Sequence, residues 1–150
     1  LIDRPVDLLL FIYFVVHVPI ILFIDSQNIL PTQFFPGFLR SILRSWVDAS
    51  GDPFVQMDPG PLDPNLIWFS TIVTIEMLFH VPFNCYAAYE LYRDSPCFDL
   101  PLLMMGVHSA TFVVPMVASL WLGFPQLTLD QRFTLTKMYG PYVFITIGMA

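Results

Sequence analysis

The stretch TIEMLFHVP, Thr74 to Pro82, sets one glutamate inside a run of otherwise apolar residues. Glu76 is the only Asp, Glu, Lys or Arg between Asp63 and Glu90, a window rich in Ile, Leu, Phe, Val and Met and long enough to cross a bilayer. Near the middle of such a span a charged side chain costs at least a few kcal/mol and by default marks a functional site. Reading that window as a membrane helix decides the fold, because the rest of the chain repeats the pattern around it.

Composition agrees. Hydrophobic residues make up 56% of the chain and charged residues 12%, and the mean hydropathy is +0.68, far from an average soluble domain. The net charge of −6, with six Lys and Arg, leaves no basic stripe to follow a phosphate backbone and excludes nucleic acid as a partner. Cys85 and Cys97 stand without a second pair, so no zinc set forms and free thiols are expected. No cofactor or metal is expected. The chain starts at Leu1 and stops at Ala150 inside an apolar run, which reads as a piece of something longer.

No Asp, Glu, Lys or Arg lies between Asp7 and Asp25, giving a first span over about 8–28. A second runs over about 65–92, a third over about 100–121, and a fourth follows Lys137 over 137–150. Helices satisfy their own backbone in lipid, and the alternation of a barrel strand is absent. The expected fold is therefore an all-α membrane protein, a single domain over 1–150 built as a four-transmembrane-helix bundle. Each span carries a proline, Pro19, Pro82, Pro115 and Pro141, so kinked helices and a cavity among them are expected, beside the plainer reading that membrane helices tolerate proline.

The connection from Asn28 to Pro64 is long, rich in Pro, Gly, Asp and Phe, with PGP and LDP turn signals, and caps one end of the bundle. Within it FLRSILRSWV, Phe38 to Val47, spaces Phe38, Ile42 and Trp46 by fours beside Arg40 and Arg44, the pattern of an interfacial amphipathic helix. Counting Lys and Arg on the connections would place this loop in the cytoplasm.

Glu76 and His80 share a helix face. Their functional reading stands beside an interhelical hydrogen bond for Glu76 and a packing role for His80. Asp25 lies about 8 Å below its helix end and Glu76 about 16 Å deep, so they meet only if tilt or kinking closes the gap. If they meet, they share a proton or jointly hold a cation; alone, Asp25 reads equally as an interfacial turn residue. His17 in span one, and His108 with Thr111 in span three, suit hydrogen bonding within the bundle better than metal ligation. Tyr139, Tyr142 and Thr146 line one face of span four, either as core packing or as aromatic walls beside a cationic ligand.

Beyond these spacings the sequence resembles a known family. IYFVVHVPIILFIDSQNILP (Ile12 to Pro31), EMLFHVPF around Glu76, DSPCFDLPLLMMGVHSATFVVP in span three and LTKMYGPYVF in span four are similar, in order, to the sigma-2 receptor-like branch of the EXPERA-domain proteins. That family also holds a sterol isomerase, the emopamil-binding protein. The resemblance implies a four-helix endoplasmic reticulum membrane protein, multi-pass and often homodimeric, with a pocket for sterols and cationic lipophilic ligands and a role in sterol trafficking or homeostasis, which makes a sterol-transport membrane protein a partner to expect. It places the pocket carboxylates on Asp25 and Glu76 and the pocket tyrosine on Tyr142, and matches Asp52 to a further acidic position. It also implies cytosolic termini, opposite to the loop-charge count. The receptor-like members carry glutamine where this chain has His80. The ligand set expected is thus Asp25, Glu76, His80, Thr111, Tyr142 and His17, with membrane lipids around it.

A non-catalytic binding protein is the leading expectation. The alternative is a sterol double-bond isomerase, which needs an acid, a base and a stabilised carbocation; the isomerase relative draws a second glutamate from its third helix, and span three here has no acid between Leu100 and Trp121. A third reading is a structural partner of another membrane protein, with Glu76 as interhelical glue.

Overall fold

The structure, a computed structural model, describes residues 1–55, 64–95 and 98–149. The PGP turn and Cys97 lie outside them. The described residues are helical or irregular, with no strand among them, as the backbone of a lipid-embedded chain requires. The long helices are α1 (Pro5–Phe23), α2 (Gly37–Ser50), α3 (Ile67–Ile75), α4 (Val81–Arg93), α5 (Asp99–Leu122) and α6 (Leu129–Met149). Among the described residues three stretches are long and apolar enough to cross a membrane: Pro5–Asn28, Pro64–Arg93 and Asp99–Leu122. Each spans about 30 Å or more at helical rise. The fourth expected span is a helix too, but α6 is not among the three, since Asp130, Arg132, Thr134, Thr136 and Lys137 dilute its first half.

The chain falls into two compact units. The first comprises Leu1–Ser45 and Phe54–Phe98, the second Trp46–Pro53 and Asp99–Ala150.

In the first unit α1 packs along α4. Pro5 opens α1 at a position where its missing N–H costs nothing, and Asp7 favours the positive end of the helix. Arg4 pins this start to the far end of α4, binding the Asp94 carboxylate and donating to the Leu91 carbonyl at 3.1 Å. The two helices therefore run antiparallel. Phe14, fully buried, meets Phe83 edge to face at 6.1 Å. Beyond Phe23 the span tightens into a 3₁₀ turn, Asp25–Asn28. Its side chains close the end of α1: Ser26 Oγ donates to the Leu22 carbonyl at 2.6 Å and Gln27 Nε2 to that of Phe23 at 2.7 Å, pairing carbonyls that a helix end leaves open.

Between α3 and α4 the helix widens into one π turn, Glu76–His80, closed by the Val81 N–H on the Glu76 carbonyl. The cause lies two residues on. Pro82 offers no N–H to the carbonyl one turn back and its ring crowds that carbonyl; the inserted residue lets α4 restart with Pro82 in its first turn. At Pro19, Pro115 and Pro141 the helices run on without such an insertion.

In the second unit α5 and α6 pack as a pair. Their turn is held by Arg132, whose guanidinium donates to the carbonyls of Trp121 (2.5 Å), Phe124 (2.9 Å) and Leu127 (3.2 Å). Thr128 and Gln131 form a capping box at the start of α6: Gln131 Oε1 accepts from the Thr128 N–H at 2.9 Å, and Thr128 Oγ1 accepts from the Gln131 N–H at 3.3 Å. Gly51 touches the same glutamine. Its φ is +65°, and a Cβ there would lie 2.2 Å from Gln131 Nε2, so a side chain is excluded on both counts.

Candidate functional site

Glu76 begins the π turn and His80 ends it. Four residues apart, their side chains meet: His80 Nδ1 lies 4.0 Å from Glu76 Oε1, with His80 5% and Glu76 20% accessible. Both are inside the protein at the depth of a membrane span. No lysine or arginine pairs with Glu76 among the described residues.

Asp25 reaches the same neighbourhood from α1. It is the first residue of the 3₁₀ turn, half-buried, and that turn packs on α3, while α1 itself touches the π turn. Its charge acts on that of Glu76. Two carboxylates close enough to repel in a medium of low dielectric favour sharing a proton or a cation. His17, two turns earlier on α1, packs its ring on Tyr13 with centroids 5.1 Å apart. Thus Asp25, Glu76 and His80 gather in the first unit, and His17 lies in that unit too.

Thr111 and Tyr142 belong to the second unit. Thr111 is exposed, its hydroxyl donating to the Val107 carbonyl of its own helix at 2.8 Å. Tyr142 is half-buried on α6. Tyr139, on the same stripe, serves an anchor instead. Its hydroxyl donates to Asp52 Oδ2 at 2.5 Å, and Trp46 Nε1 donates to the same oxygen at 3.0 Å. Asp52 is 3% exposed, so this carboxylate fastens the segment after α2 onto α6 within the second unit.

One residue escaped the sequence reading. Asn84 is 2% exposed, and its Oδ1 is buried without a hydrogen-bond partner among the described residues. It continues the polar column of Glu76 and His80 by a further four residues, a spacing the sequence displays but one that an isolated amide does not advertise. Cys85 is a free, exposed thiol. No group of three potential metal ligands occurs among the described residues.

Comparison with known proteins sharpens this picture. The family model of EXPERA, the expanded EBP superfamily, matches residues 38–150. The chain is 32% identical over 153 residues to sigma intracellular receptor 2 of Macaca fascicularis, covering 95% of this chain and 83% of that protein. It is 31% identical to the Homo sapiens protein of the same name with the same coverage. It is also 26% identical over 149 residues to efficient mitochondria targeting-associated protein 19 of Schizosaccharomyces pombe, covering 96% of this chain and 72% of that one. A model match over most of the chain, with 31–32% identity to the receptors over 95% of it, means that this chain belongs to the EXPERA family as a sigma-2 receptor-like member.

Proposed function

We propose that this protein binds sterols and cationic lipophilic molecules within the membrane of the endoplasmic reticulum, and serves sterol homeostasis or trafficking. The observation that carries the reading is Glu76: a carboxylate at membrane depth, acted on by the charge of Asp25 and paired with no lysine or arginine among the described residues. A buried charge without a fixed counterion is costly. An ammonium on an apolar ligand supplies that counterion and brings with it the apolar surface that suits the surrounding span.

The test uses the purified protein and a lipophilic amine. The amine stabilises the wild type against heat, as any ligand of the folded state must. Asp25→Asn and Glu76→Gln, nearly isosteric, each weaken that amine by about thirtyfold or more, the range for removing one partner of a desolvated charge pair. Undiminished binding in both variants would sink the shared-carboxylate site.

The 4.0 Å approach of His80 to Glu76 favours a second reading, sterol double-bond isomerisation, with one group giving a proton and the other taking one. Conversion of a sterol with a movable ring double bond by the wild type, and its loss in His80→Gln, would put this reading first.

A further inference from the structure

The remaining arginines of the first unit have no role in that site. Arg40 and Arg44 stand one turn apart on α2, both exposed, and neither is paired with a carboxylate among the described residues. They are two of six basic residues in a chain of net charge −6, where acidic partners are plentiful. Instead they line one groove of about 300 Å³, together with Gln27, Thr32 and Ser41. That volume is at the lower end for sites that hold small organic ligands, roughly 300–1,000 Å³.

The groove is held at a defined depth. Gln27 belongs to the stretch Pro5–Asn28 that is long and apolar enough to cross a membrane, and its amide donates both to the Phe23 carbonyl and, at 3.4 Å, to the Leu39 carbonyl of α2. Leu39 directly precedes Arg40, so this contact ties the arginines to the end of the first span. Leu43 is buried and fixes the inner face of α2. Phe38 and Ile42, one turn apart on α2, are 63% and 53% exposed, and Phe34 in the turn before it is 66% exposed, apolar surface that suits a helix lying in a membrane interface.

Taken together, two guanidinium groups without an ion pair among the described residues, the Thr32 hydroxyl beside them and a location at the end of a stretch apolar enough to cross a membrane specify a ligand. We infer that the groove between α2 and the end of the first span binds the phosphate of an anionic membrane phospholipid. Arginine suits this group because its planar fork donates two parallel hydrogen bonds to phosphate oxygens. Thr32 supplies a hydroxyl donor beside it, and the neighbouring apolar side chains meet the acyl region. The lipid is the source assigned, because headgroups are the phosphates present at that depth in every orientation of the chain.

Phosphatidic acid, with its exposed phosphate, is the probe. The full chain is released from zwitterionic lipid and titrated with short-chain phosphatidic acid, and lipid adducts are counted by native mass spectrometry. The wild type retains the lipid, and Arg40→Gln with Arg44→Gln weakens it about 25- to 30-fold, about fivefold for each basic residue. Arg40→Lys with Arg44→Lys restores part of the loss, since charge returns without the fork. The control pair Arg93→Gln with Lys137→Gln removes the same charge outside the groove and leaves affinity unchanged. Thermal unfolding of each variant, matched to the wild type, shows that α2 is intact. An equal loss in the control pair would mean diffuse attraction and overturn the site. Displacement of the lipid by inorganic phosphate at comparable concentration would overturn the lipid assignment in favour of a soluble anion.

Discussion

At His80 a titratable ring sits one turn from the carboxylate that the proposed ligand needs, 4.0 Å away and almost fully buried. A protonated His80 is a cation already in place at Glu76, and it competes with the ammonium of a lipophilic amine. Amine affinity should therefore fall as pH drops from about 7.5 to about 5.5, the range in which histidine ordinarily charges. Any protonation of Asp25 and Glu76 over the same range weakens the amine in the same direction, so the informative quantity is the difference between two profiles. Replacing His80 by Gln keeps a polar side chain and removes the titration, and the fall should flatten. Superimposable profiles for the two proteins would assign His80 to packing. The pairing of Glu76 with His80 was legible from their spacing alone, because i and i+4 share a face in any helix. The approach of Asp25 was implied by the family resemblance but left conditional by spacing, because it depends on the 3₁₀ turn that follows α1 and on the packing of that turn against α3, neither of which has a sequence signature.

Between α3 and α4 the decisive element is the π turn, and Pro82 is its cause. A regular helix advances 100° per residue, so one inserted residue turns everything before it by about that angle relative to α4. The direction of the Glu76 carboxylate is thus set against α1 by an irregularity, not by helical spacing. Pro82→Ala removes the reason for the insertion and restores the missing donor. The helix should close to regular α geometry and gain thermal stability, by up to about 3 kcal/mol, while amine affinity falls about tenfold as the carboxylate turns from Asp25. Retained affinity with raised stability would show that the site does not depend on the π turn. The sequence announced the proline but not its consequence, since the four prolines look alike in the chain and three of them sit in helices without such an insertion. Element ends show the same division. The second and third spans were read to within a residue or two, Pro64–Arg93 and Asp99–Leu122, because Asp, Arg and Pro bound them sharply. Helix α6 begins at Leu129, eight positions before the expected fourth span, because hydropathy registers Lys137 as a boundary whereas a helix starts at its cap, and Thr128 with Gln131 is that cap.

For the molecule as a whole, the side of the membrane reached by each end follows from what α6 does. Its composition keeps it out of the set of evident spans, and a chain crossing three times would place Leu1 and Ala150 on opposite faces. Within the second unit, however, α6 packs along α5, which is apolar enough to cross, and Trp121 Nε1 donates to Thr136 Oγ1 at 3.0 Å just inside the turn. A helix of 21 residues, packed along a partner apolar enough to span, is long enough at about 1.5 Å per residue to return through the same slab of lipid, and we propose that it does. The charges near its start do not forbid this. Asp130 and Arg132 lie in its first turn, at the level of the turn it makes with α5, and the Arg132 guanidinium is occupied with three carbonyls there. Lys137 lies two turns in and is exposed, with a side chain long enough to reach the interface. Phe144 and Ile147 beyond it are 78% and 57% exposed, surface that lipid would cover. Four crossings would put both ends on one face. Glycosylation acceptor tags appended to Leu1 in one variant and to Ala150 in another should then be modified both or neither. Modification of one alone would reduce the chain to three crossings and leave α6 at the interface.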